Sequence, residues 1–291
     1  MPTGILIIDK PADWTSQDVA AKLRGVLHER RIGHGGTLDP MATGVLPVFV
    51  GRATRAVEFF EAAEKEYVAG LRLGVETDTQ DSTGRVLAES PVTVTRADVE
   101  AALRSFVGPQ QQVPPMYSAV KIGGQKLYEL ARKGREVERK PRDIVLHELE
   151  LLEGEGVHYL FRVRCSKGTY VRTLCHDLGR ALGCGGTMDS LRRTRAGCYG
   201  LDQAVPLAQV VAHPAPETLL LPIDSLFAHL PSLKLTPRQY KPLLNGAPVP
   251  CAGVPEGDCR VYGPDGGFAA LGRVERGRLK TIKSFFEVNK P

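Results

Sequence analysis

The most constrained stretch of the sequence surrounds one carboxylate, Asp39. Residues 31–47 place four glycines and two prolines around it. Glycine permits backbone conformations closed to other residues, whereas proline fixes φ and removes an amide donor. Such a loop holds a side chain in a fixed place, and a fixed carboxylate can act as a nucleophile or a base. The alternative is that Asp39 only braces its own loop, because Asp-Pro is common in turns.

Four other side chains could act with Asp39. Tyr67 lies at the start of a predicted strand, and Tyr170 and Arg172 lie at the start of a predicted helix. An arginine beside a carboxylate favours the ionised form, so Arg172 could keep Asp39 charged. Tyr67 could equally be an ordinary strand aromatic, and His34 could either contact a substrate or be satisfied within its own loop. The residues alone leave these alternatives open.

Other kinds of site fail on specific residues. A phosphate-binding P-loop needs Lys-Ser or Lys-Thr after its last glycine, but Gly44 is followed by Val-Leu-Pro, and the dinucleotide fingerprint is absent. Residues 78–84 lack the ligand spacing of a calcium loop, so we predict a polar loop or a hairpin connection there. No two histidines or cysteines lie at metal-binding spacing. We therefore predict no metal and no nucleotide cofactor.

The composition is that of a globular protein with one cluster of positive charge. The chain has 291 residues, of which 42% are hydrophobic and 24% charged, and a formal net charge of +5. Residues 121–142 contain eight basic and three acidic side chains, which suits a polyanionic partner or, alternatively, a solvated basic loop. No apolar run approaches the ~20 residues that span a bilayer, and signal-peptide features are missing. We expect a cytoplasmic protein with reduced cysteines.

Apolar periodicity predicts the elements that would position these residues. The predicted strands are residues 4–9, 46–50, 67–73 and 160–165. The predicted helices follow the capping residues Thr15 and Thr95, run through residues 52–63, and begin at Thr169. Gly108 is expected to end the helix that follows Thr95.

The last third of the sequence differs in composition and in its predicted secondary structure. Residues 201–231 are rich in proline, which is typical of a linking segment, and strand-like pieces follow at 259–262, 268–272 and 279–288. We predict an α+β fold with two domains. The larger comprises residues 1–230 on a mixed or antiparallel sheet, and the smaller comprises residues 231–291 and is rich in strands.

Six stretches together resemble the successive motifs of the TruB family, the bacterial tRNA pseudouridine-55 synthases. They occur in the family's order within about residues 4–205, and the combination is specific although no single motif is. The motifs are Leu6-Ile-Ile-Asp-Lys-Pro11 with Thr15-Ser16, Gly33-His-Gly-Gly-Thr-Leu-Asp-Pro-Met-Ala-Thr-Gly-Val-Leu-Pro47, Lys65-Glu-Tyr67, Val113-Pro-Pro-Met-Tyr-Ser-Ala-Val-Lys121, Gly168-Thr-Tyr-Val-Arg-Thr173 and Leu191-Arg-Arg-Thr194. The tail is similar, more weakly, to the small β-barrel RNA-binding PUA module.

The resemblance implies a fold and a role for each candidate residue. The fold would be a pseudouridine synthase catalytic domain followed by a PUA-type domain. Asp39 matches the family's catalytic aspartate, Tyr67 the tyrosine that stacks on the target base, and Arg172 the arginine that pairs with the aspartate. The residues implied to contact substrate or RNA are His34, Tyr170, Leu191, Lys10, Arg192 and Arg193.

The implied activity is isomerisation of uridine 55 in the T-loop of tRNA, after base flipping, by a monomeric enzyme without cofactors. Asp39 could attack C1′ of the ribose, add to C6 of the base, or promote loss of the base with help from Tyr67. Two other functions stay open. One is a tRNA-binding or folding protein in which catalysis is secondary. The other is a nucleosidase, which ordinarily needs a second carboxylate, and no second acid lies in a comparably constrained stretch.

Overall fold

The structure is a computed structural model that describes residues 1–286. The strands are β1 (Gly4–Lys10), β2 (Ile32–His34), β3 (Thr43–Val50), β4 (Lys65–Leu73), β5 (Val75–Thr77), β6 (Val86–Glu89), β7 (Gly108–Gln112), β8 (Lys121–Ile122), β9 (Gln125–Lys126), β10 (Arg142–Glu155), β11 (His158–Cys165), β12 (Gly186–Ala196), β13 (Tyr199–Gly200), β14 (Val205–Pro206), β15 (Ser232–Lys234), β16 (Val249–Pro250), β17 (Gly257–Tyr262), β18 (Phe268–Glu275) and β19 (Arg278–Ser284). The α-helices are α1 (Ser16–Val26), α2 (Val57–Glu61), α3 (Arg96–Ser105), α4 (Leu127–Ala131), α5 (Val171–Ala181), α6 (Leu207–Ala212) and α7 (Pro237–Leu244). Short 3₁₀ helices occupy Gly51–Ala56, Leu201–Gln203, Pro216–Leu219 and Ile223–Phe227.

A ten-stranded mixed sheet organises most of the chain. Its main path runs β14-β1-β3-β12-β4-β11-β10-β7, with β2 paired to β3 and β13 paired to β12. The β1/β14 and β3/β12 pairs are parallel, and the other pairs are antiparallel. The mixed sheet and the α+β class predicted from the sequence are confirmed.

Helices α1, α3, α5 and α6 cover one face of this sheet. Their buried apolar side chains join those of the central strands in one core, with Leu23 from α1, Leu103 from α3, Leu178 from α5 and Val210 from α6. Burial of such side chains removes apolar surface from water, which is the main favourable term in folding. Because α5 lies on this face, it brings its first residues to the centre of the sheet.

A second, five-stranded sheet follows residue 231. Its order is β15-β17-β18-β19-β16, and it curls as a half-barrel. Leu271 and Phe285 of this part pack in one apolar cluster with Ile5 and Phe49 of the large sheet. The small sheet therefore packs on the face of β1 and β3 opposite the helices. The predicted strand at residues 279–288 ends at Ser284, and its last two positions lie outside the described residues.

Local signals were accurate where a helix carries its own cap. The side chains of Thr15 and Thr95 each accept a hydrogen bond from the amide three residues further on. The carboxylates of Asp18 and Asp98 in turn accept from the amides of Thr15 and Thr95, so both predicted capping boxes are confirmed. The prediction was wrong at Gly108, because α3 ends at Ser105 and Gly108 begins a strand. The predicted helix over residues 52–63 is instead a 3₁₀ turn followed by a short α-helix.

Two long strands of the sheet carry no clear signal in the sequence. In β10, the register with β11 shifts twice, so apolar residues do not alternate cleanly. In β12, three arginines occupy the middle of a central strand at positions 192, 193 and 195. Whether a strand residue is buried depends on the neighbouring strands of the sheet, and the sequence of the strand itself does not show which strands these are.

Candidate active site

The Asp39 loop joins β2 to β3 and is held from two other elements. Ser16, the first residue of α1, accepts a hydrogen bond from the amide of Leu38 at 2.9 Å, and the Ser16 hydroxyl donates to the Leu38 carbonyl at 3.3 Å. The amide of Asp13 donates to the carbonyl of Pro40 at 2.9 Å. The loop is thus tied on both sides of Asp39, as its composition predicts.

Lys10 lies under this loop and is fully buried, with an exposed fraction of 0%. Its ammonium donates to the carbonyls of Pro11, Trp14 and Pro40 at 2.9, 2.6 and 3.1 Å. Burial lowers the pKa of Lys10 from its ordinary value to about 8. The ammonium is enclosed and all three of its protons are used by main-chain oxygens, so the contact of Lys10 with RNA stays a prediction.

Arg172 is the main partner of Asp39. The Nε atom of Arg172 lies 3.0 Å from Oδ2 of Asp39, and the arginine is buried whereas the aspartate side chain is 34% exposed. The arginine also donates from Nη2 to the carbonyl of Tyr117 at 3.0 Å. The structure thus brings together the carboxylate and the cation that the sequence paired only through resemblance.

Asp81 is a functional candidate that the sequence reasoning missed. Its Oδ2 lies 3.6 Å from Nη1 of Arg172, and both side chains are buried. Its Oδ1 accepts hydrogen bonds from the hydroxyl of Thr79 and from the amide and hydroxyl of Thr83. The hairpin connection predicted for residues 78–84 is confirmed, but its sequence does not show which of its aspartates turns inward.

Opposing effects act on the ionisation of Asp39. Burial raises the pKa of Asp39 above its ordinary value, Arg172 lowers it, Asp81 raises it, and Lys10 lowers it. Burial is the largest of these effects, so the pKa of Asp39 is raised overall, and Arg172 opposes that rise. Perturbed carboxylates of this kind are concentrated in active sites.

Arg193 is also buried, with an exposed fraction of 1%. Its Nε donates to the carbonyl of Val45 at 2.7 Å and its Nη2 to the carbonyl of Gly36 at 3.1 Å. The guanidinium is enclosed by the loop that carries Asp39, so the contact of Arg193 with a phosphate stays a prediction. It fastens the two flanks of that loop to the central strand β12.

Tyr67 and Leu191 lie side by side on the helix-covered face of the sheet. Tyr67 pairs in register with Arg193 across β4 and β12, and Leu191 pairs with Ala69 two residues further along β4. Burial raises the pKa of Tyr67 above its ordinary value, so its phenol is neutral at physiological pH. Both side chains are mostly buried, in agreement with a place in the wall of a pocket.

The other predicted residues lie around this centre. His34 is the last residue of β2, and its Nδ1 is buried without a hydrogen-bond partner among the described residues. Burial and the nearby Arg193 lower the pKa of His34, which favours the neutral ring. Arg192 is partly exposed and forms an ion pair with Asp9 at 2.8 Å. Arg192 is thus the member of the pair at positions 192 and 193 that can reach a ligand from solvent.

The predicted helix begins at Thr169, but α5 begins at Val171 and is preceded by Tyr170, so the predicted start is wrong by two residues. The hydroxyl of Thr169 donates to the carbonyl of Ser166 at 3.0 Å and does not cap the helix. Tyr170 nevertheless lies two residues before Arg172, at the same helix terminus. The start of α5 therefore supplies two of the predicted site residues.

Gly44 is required where β3 leaves the Asp39 loop. Its φ is +100°, and a Cβ atom there would lie 2.2 Å from the carbonyl oxygen of Arg193 on the paired strand. We expect Gly44→Ala to lower the free energy of unfolding by about 3 kcal/mol, through backbone strain plus this clash. Urea denaturation measures the change.

Gly183→Ala is the matched control for Gly44. Gly183 also has a positive φ, of +77°, but nothing lies within 4 Å of the added Cβ. Its substitution should cost only about 1 kcal/mol, the strain of a left-handed alanine. Equal losses for the two variants would show that contact with β12 is not what demands glycine at position 44.

Among residues 1–286, no group of three or more His, Cys, Asp or Glu side chains has the geometry of a metal site. No helix in the same range is both long and apolar enough to cross a membrane. The predicted lack of metal and cofactor stays a prediction.

Comparison with known families agrees with this geometry. The sequence model of the TruB family pseudouridylate synthase N-terminal domain matches residues 24–171, and that of the tRNA pseudouridylate synthase B C-terminal domain matches residues 172–228. This chain belongs to the TruB family. The family assignment predicted from the six motifs is thereby confirmed, and so is the prediction that the protein is an enzyme of this class.

TruB-family relatives match nearly the whole chain. The tRNA pseudouridine synthase B of Azoarcus sp. strain BH72 is 44% identical over 279 residues, which cover 95% of this chain and 93% of that protein. The enzyme of the same name from Aromatoleum aromaticum is 47% identical over 278 residues, covering 94% and 89%. A chain in the crystal structure of a Cbf5-Nop10-Gar1 complex superimposes with a TM-score of 0.75 at 28% identity, covering 98% of this chain and 85% of that one. The TruB fold therefore extends over both sheets.

Proposed function

We propose that this protein converts the uridine at position 55 in the T-loop of tRNA into pseudouridine, with Asp39 as the catalytic carboxylate. The observation that carries the proposal is the ion pair of Asp39 with the buried Arg172, 3.0 Å apart, at the centre of the sheet. The relatives named tRNA pseudouridine synthase B support tRNA as the substrate. A chain in a complex with a substrate RNA containing 2′-deoxyuridine, similar at 26% identity and a TM-score of 0.73, supports recognition of RNA by this fold.

The residues fit an isomerisation. The bond between N1 of the base and C1′ of the ribose breaks, the base turns, and a bond between C5 and C1′ forms. The proton leaves C5, a proton is gained at N1, and no oxidant or external group is consumed. One ionised carboxylate in a fixed position is the minimum that this sequence of steps requires, and Arg172 lowers the pKa of Asp39 and so opposes the effect of burial.

Tyr67 supplies the aromatic face for the extruded base. Removing a base from its stack costs a few kcal/mol, and stacking on an aromatic side chain returns about 1–3 kcal/mol. Tyr67 is neutral, lies beside Leu191 across the strands, and is held against β12. Tyr170 and His34 lie on neighbouring elements and complete the proposed pocket.

The remaining RNA contacts are proposed on the surface around this pocket. Arg192 and the basic residues of the 113–141 insertion, which contains β8, β9 and α4, would hold phosphates and set the register of the RNA. Lys10 and Arg193 would act on RNA only indirectly, through the loop that they support.

Tritium release from tRNA labelled at C5 of uracil tests the function. The wild-type protein should release the label, because C5 loses its hydrogen when the carbon–carbon bond forms. A T-loop with cytidine at position 55 is the matched substrate control. Absence of release from the uridine substrate, with tRNA binding intact, would favour a binding or folding protein instead.

A nucleosidase is less compatible with the site. Its general acid would have to be a second carboxylic acid, and Asp81 is the nearest candidate. Asp81 accepts hydrogen bonds from two threonines at Oδ1 and faces Arg172 at Oδ2, so its two oxygens are already engaged by donors and by a cation. Release of free uracil would contradict this interpretation.

Asp81→Asn is expected to extend activity to lower pH. Asp39 must be ionised to react, and the charge of Asp81 raises the pKa of Asp39. Removing that charge lowers the pKa, so the acid limb of the kcat profile should move to lower pH. The plateau should fall about tenfold, because Arg172 loses one of its anchors. Single-turnover tritium release across pH measures both effects.

Asp78→Asn is the control on the same loop. Its carboxylate accepts a hydrogen bond from the amide of Arg85 at 2.9 Å, and the side-chain oxygen of asparagine can accept the same bond. The control should leave the acid limb in place. A shift of the Asp81→Asn limb to higher pH would show that Arg172, once released from Asp81, no longer supports Asp39.

We also place a domain boundary near residue 230. The C-terminal family match ends at residue 228, and the strands of the small sheet begin at Ser232, which supports domains of 1–230 and 231–291. The smaller part would be a PUA-like RNA-binding module. A monomeric state and a cytoplasmic location remain part of the proposal.

A further inference from the structure

Helix α5 carries Arg172 but lacks a cap of its own. Tyr170 precedes the helix and makes no side-chain capping bond, and its first turn contains no acidic residue. Helices α1 and α3, in contrast, each begin with a complete capping box. An uncapped start leaves amide groups unsatisfied and the first turn prone to fray. Arg172 lies in that turn, so its position needs support from elsewhere.

Gln112 supplies that support from another element. It is the last residue of β7 and is buried. Its side-chain carbonyl accepts a hydrogen bond from the amide of Tyr170 at 2.8 Å, and its amide nitrogen donates to the carbonyl of Tyr170 at 3.0 Å. The carbonyl of Tyr170 also accepts the first helical bond, from Leu174 at 3.1 Å. One glutamine thus holds both main-chain polar groups of the residue that starts α5.

Gln112 lies at the point where the basic insertion leaves the sheet. Residues 113–141 begin directly after it and return at Arg142, which pairs with Gln112 across β7 and β10. The insertion also contacts the same helix start at Tyr117, whose carbonyl accepts from Arg172 at 3.0 Å. We call the two hydrogen bonds between Gln112 and Tyr170 the clamp. The clamp and the bond from Arg172 to Tyr117 therefore connect one end of the insertion to the ion pair of Arg172 and Asp39.

We propose that Gln112 is a positioning residue for catalysis, which anchors the main chain of Tyr170 at the start of α5 and so fixes Arg172 against Asp39. This inference rests on the proposed function of the Asp39 site. Gln112 touches no reacting atom in this arrangement. Gln112 acts on Arg172 through the main chain of Tyr170. This action requires both the oxygen and the nitrogen of the Gln112 side-chain amide.

Gln112→Met tests the clamp, since methionine has similar length but makes neither hydrogen bond. We expect kcat for tritium release to fall about tenfold, with KM for tRNA changed less than about twofold, because a small displacement at a catalytic group is costly. The acid limb of the kcat profile should move to higher pH, since Arg172 would then lower the pKa of Asp39 less effectively.

Gln111→Met is the matched control on the neighbouring position. Gln111 is exposed on the same strand, and its amide reaches only Asp143 at 3.3 Å. The control should keep both kcat and the pH profile of the wild type. A thermal melt of each variant separates loss of the clamp from loss of the fold.

Gln112→Glu distinguishes hydrogen bonding from packing. A protonated glutamic acid can accept from the amide of Tyr170 and donate to its carbonyl, as glutamine does, but the carboxylate can only accept. Gln112 pairs in register with Arg142 of β10 and hydrogen-bonds the main chain of Tyr170, two residues before Arg172. The ratio of kcat for Gln112→Glu to kcat for Gln112→Met should therefore rise as the pH is lowered.

Three results would overturn the inference. They are wild-type kcat in Gln112→Met, an unshifted acid limb in that variant, and a Glu-to-Met ratio that stays constant with pH. None of these can be confused with failure of the proposed function. In that case the wild-type protein itself would release no tritium, and no variant comparison would arise.

Discussion

Replacing Asp39 with asparagine is expected to lower kcat for pseudouridine formation by roughly four orders of magnitude, as is typical when a covalently reacting group is removed. Asparagine keeps the shape of the side chain and can still accept from Arg172, which lies 3.0 Å away. The variant therefore removes the charge and the reacting oxygen while it leaves the loop in place. Tritium release under single-turnover conditions measures the loss of the chemical step without interference from product release.

Binding and stability identify the origin of that loss. The affinity for T-stem-loop RNA should change less than about threefold, since Asp39 is one group in a large interface. Burial raises the folded-state pKa of Asp39, so the ionised carboxylate disfavours the folded state at neutral pH. The variant should therefore unfold at a temperature no lower than that of the wild type at neutral pH.

The exposed neighbour Asp13 provides the control for Asp39. Its amide contacts the same loop, at the carbonyl of Pro40, and its φ of +64° is one that asparagine also adopts. Asp13→Asn should retain activity within about twofold. A wild-type rate in Asp39→Asn would show that another group carries out the reaction, and the proposed mechanism would be wrong.

Arg172→Lys is expected to lower kcat by about 10²–10³-fold, although it keeps the positive charge. The three guanidinium nitrogens of Arg172 face three different partners, which are Asp39, Asp81 and the carbonyl of Tyr117. A lysine ammonium is a single point charge and cannot reproduce a planar fork with fixed directions. Asp39 and Asp81 would then be less well neutralised, and the pKa of Asp39 should rise.

The pH profile makes the Arg172 prediction specific. Because the pKa of Asp39 should be higher in Arg172→Lys, the acid limb of kcat should move to higher pH, opposite to the shift expected for Asp81→Asn. Arg180→Lys on the exposed face of the same helix is the control and should match the wild type. An Arg172→Lys enzyme with normal kcat and an unshifted limb would mean that charge alone, without geometry, supports Asp39.

Local patterns were sufficient for a definite part of the molecule. The capping boxes at Thr15 and Thr95 place the starts of α1 and α3 correctly, since those bonds join residues three apart. The glycines and prolines around Asp39 predict a tied loop, and the loop is tied. The motif order also gives the family, because six moderately specific patterns in sequence are jointly restrictive.

Local patterns did not show the burial of residues whose environment comes from distant strands. A lysine and an arginine are ordinarily solvent-exposed, and the resemblance implied that Lys10 and Arg193 contact RNA. Each is enclosed, and each is compensated by main-chain carbonyls from the Asp39 loop. Asp81 was overlooked because it lies in a polar stretch of sequence that is typical of an exposed turn. In the structure its side chain is buried beside Arg172.

The sequence by itself determined the family, the α+β class and the capped helices, and it singled out Asp39 as the candidate carboxylate. These depend on patterns within a few residues or on the order of motifs along the chain. Only the tertiary structure decided how Asp39 is supported. Arg172 contacts Asp39 directly, whereas Asp81, Arg193 and Gln112 support Arg172, the loop and the start of α5 from three other elements. These contacts form only when the sheet brings the elements together.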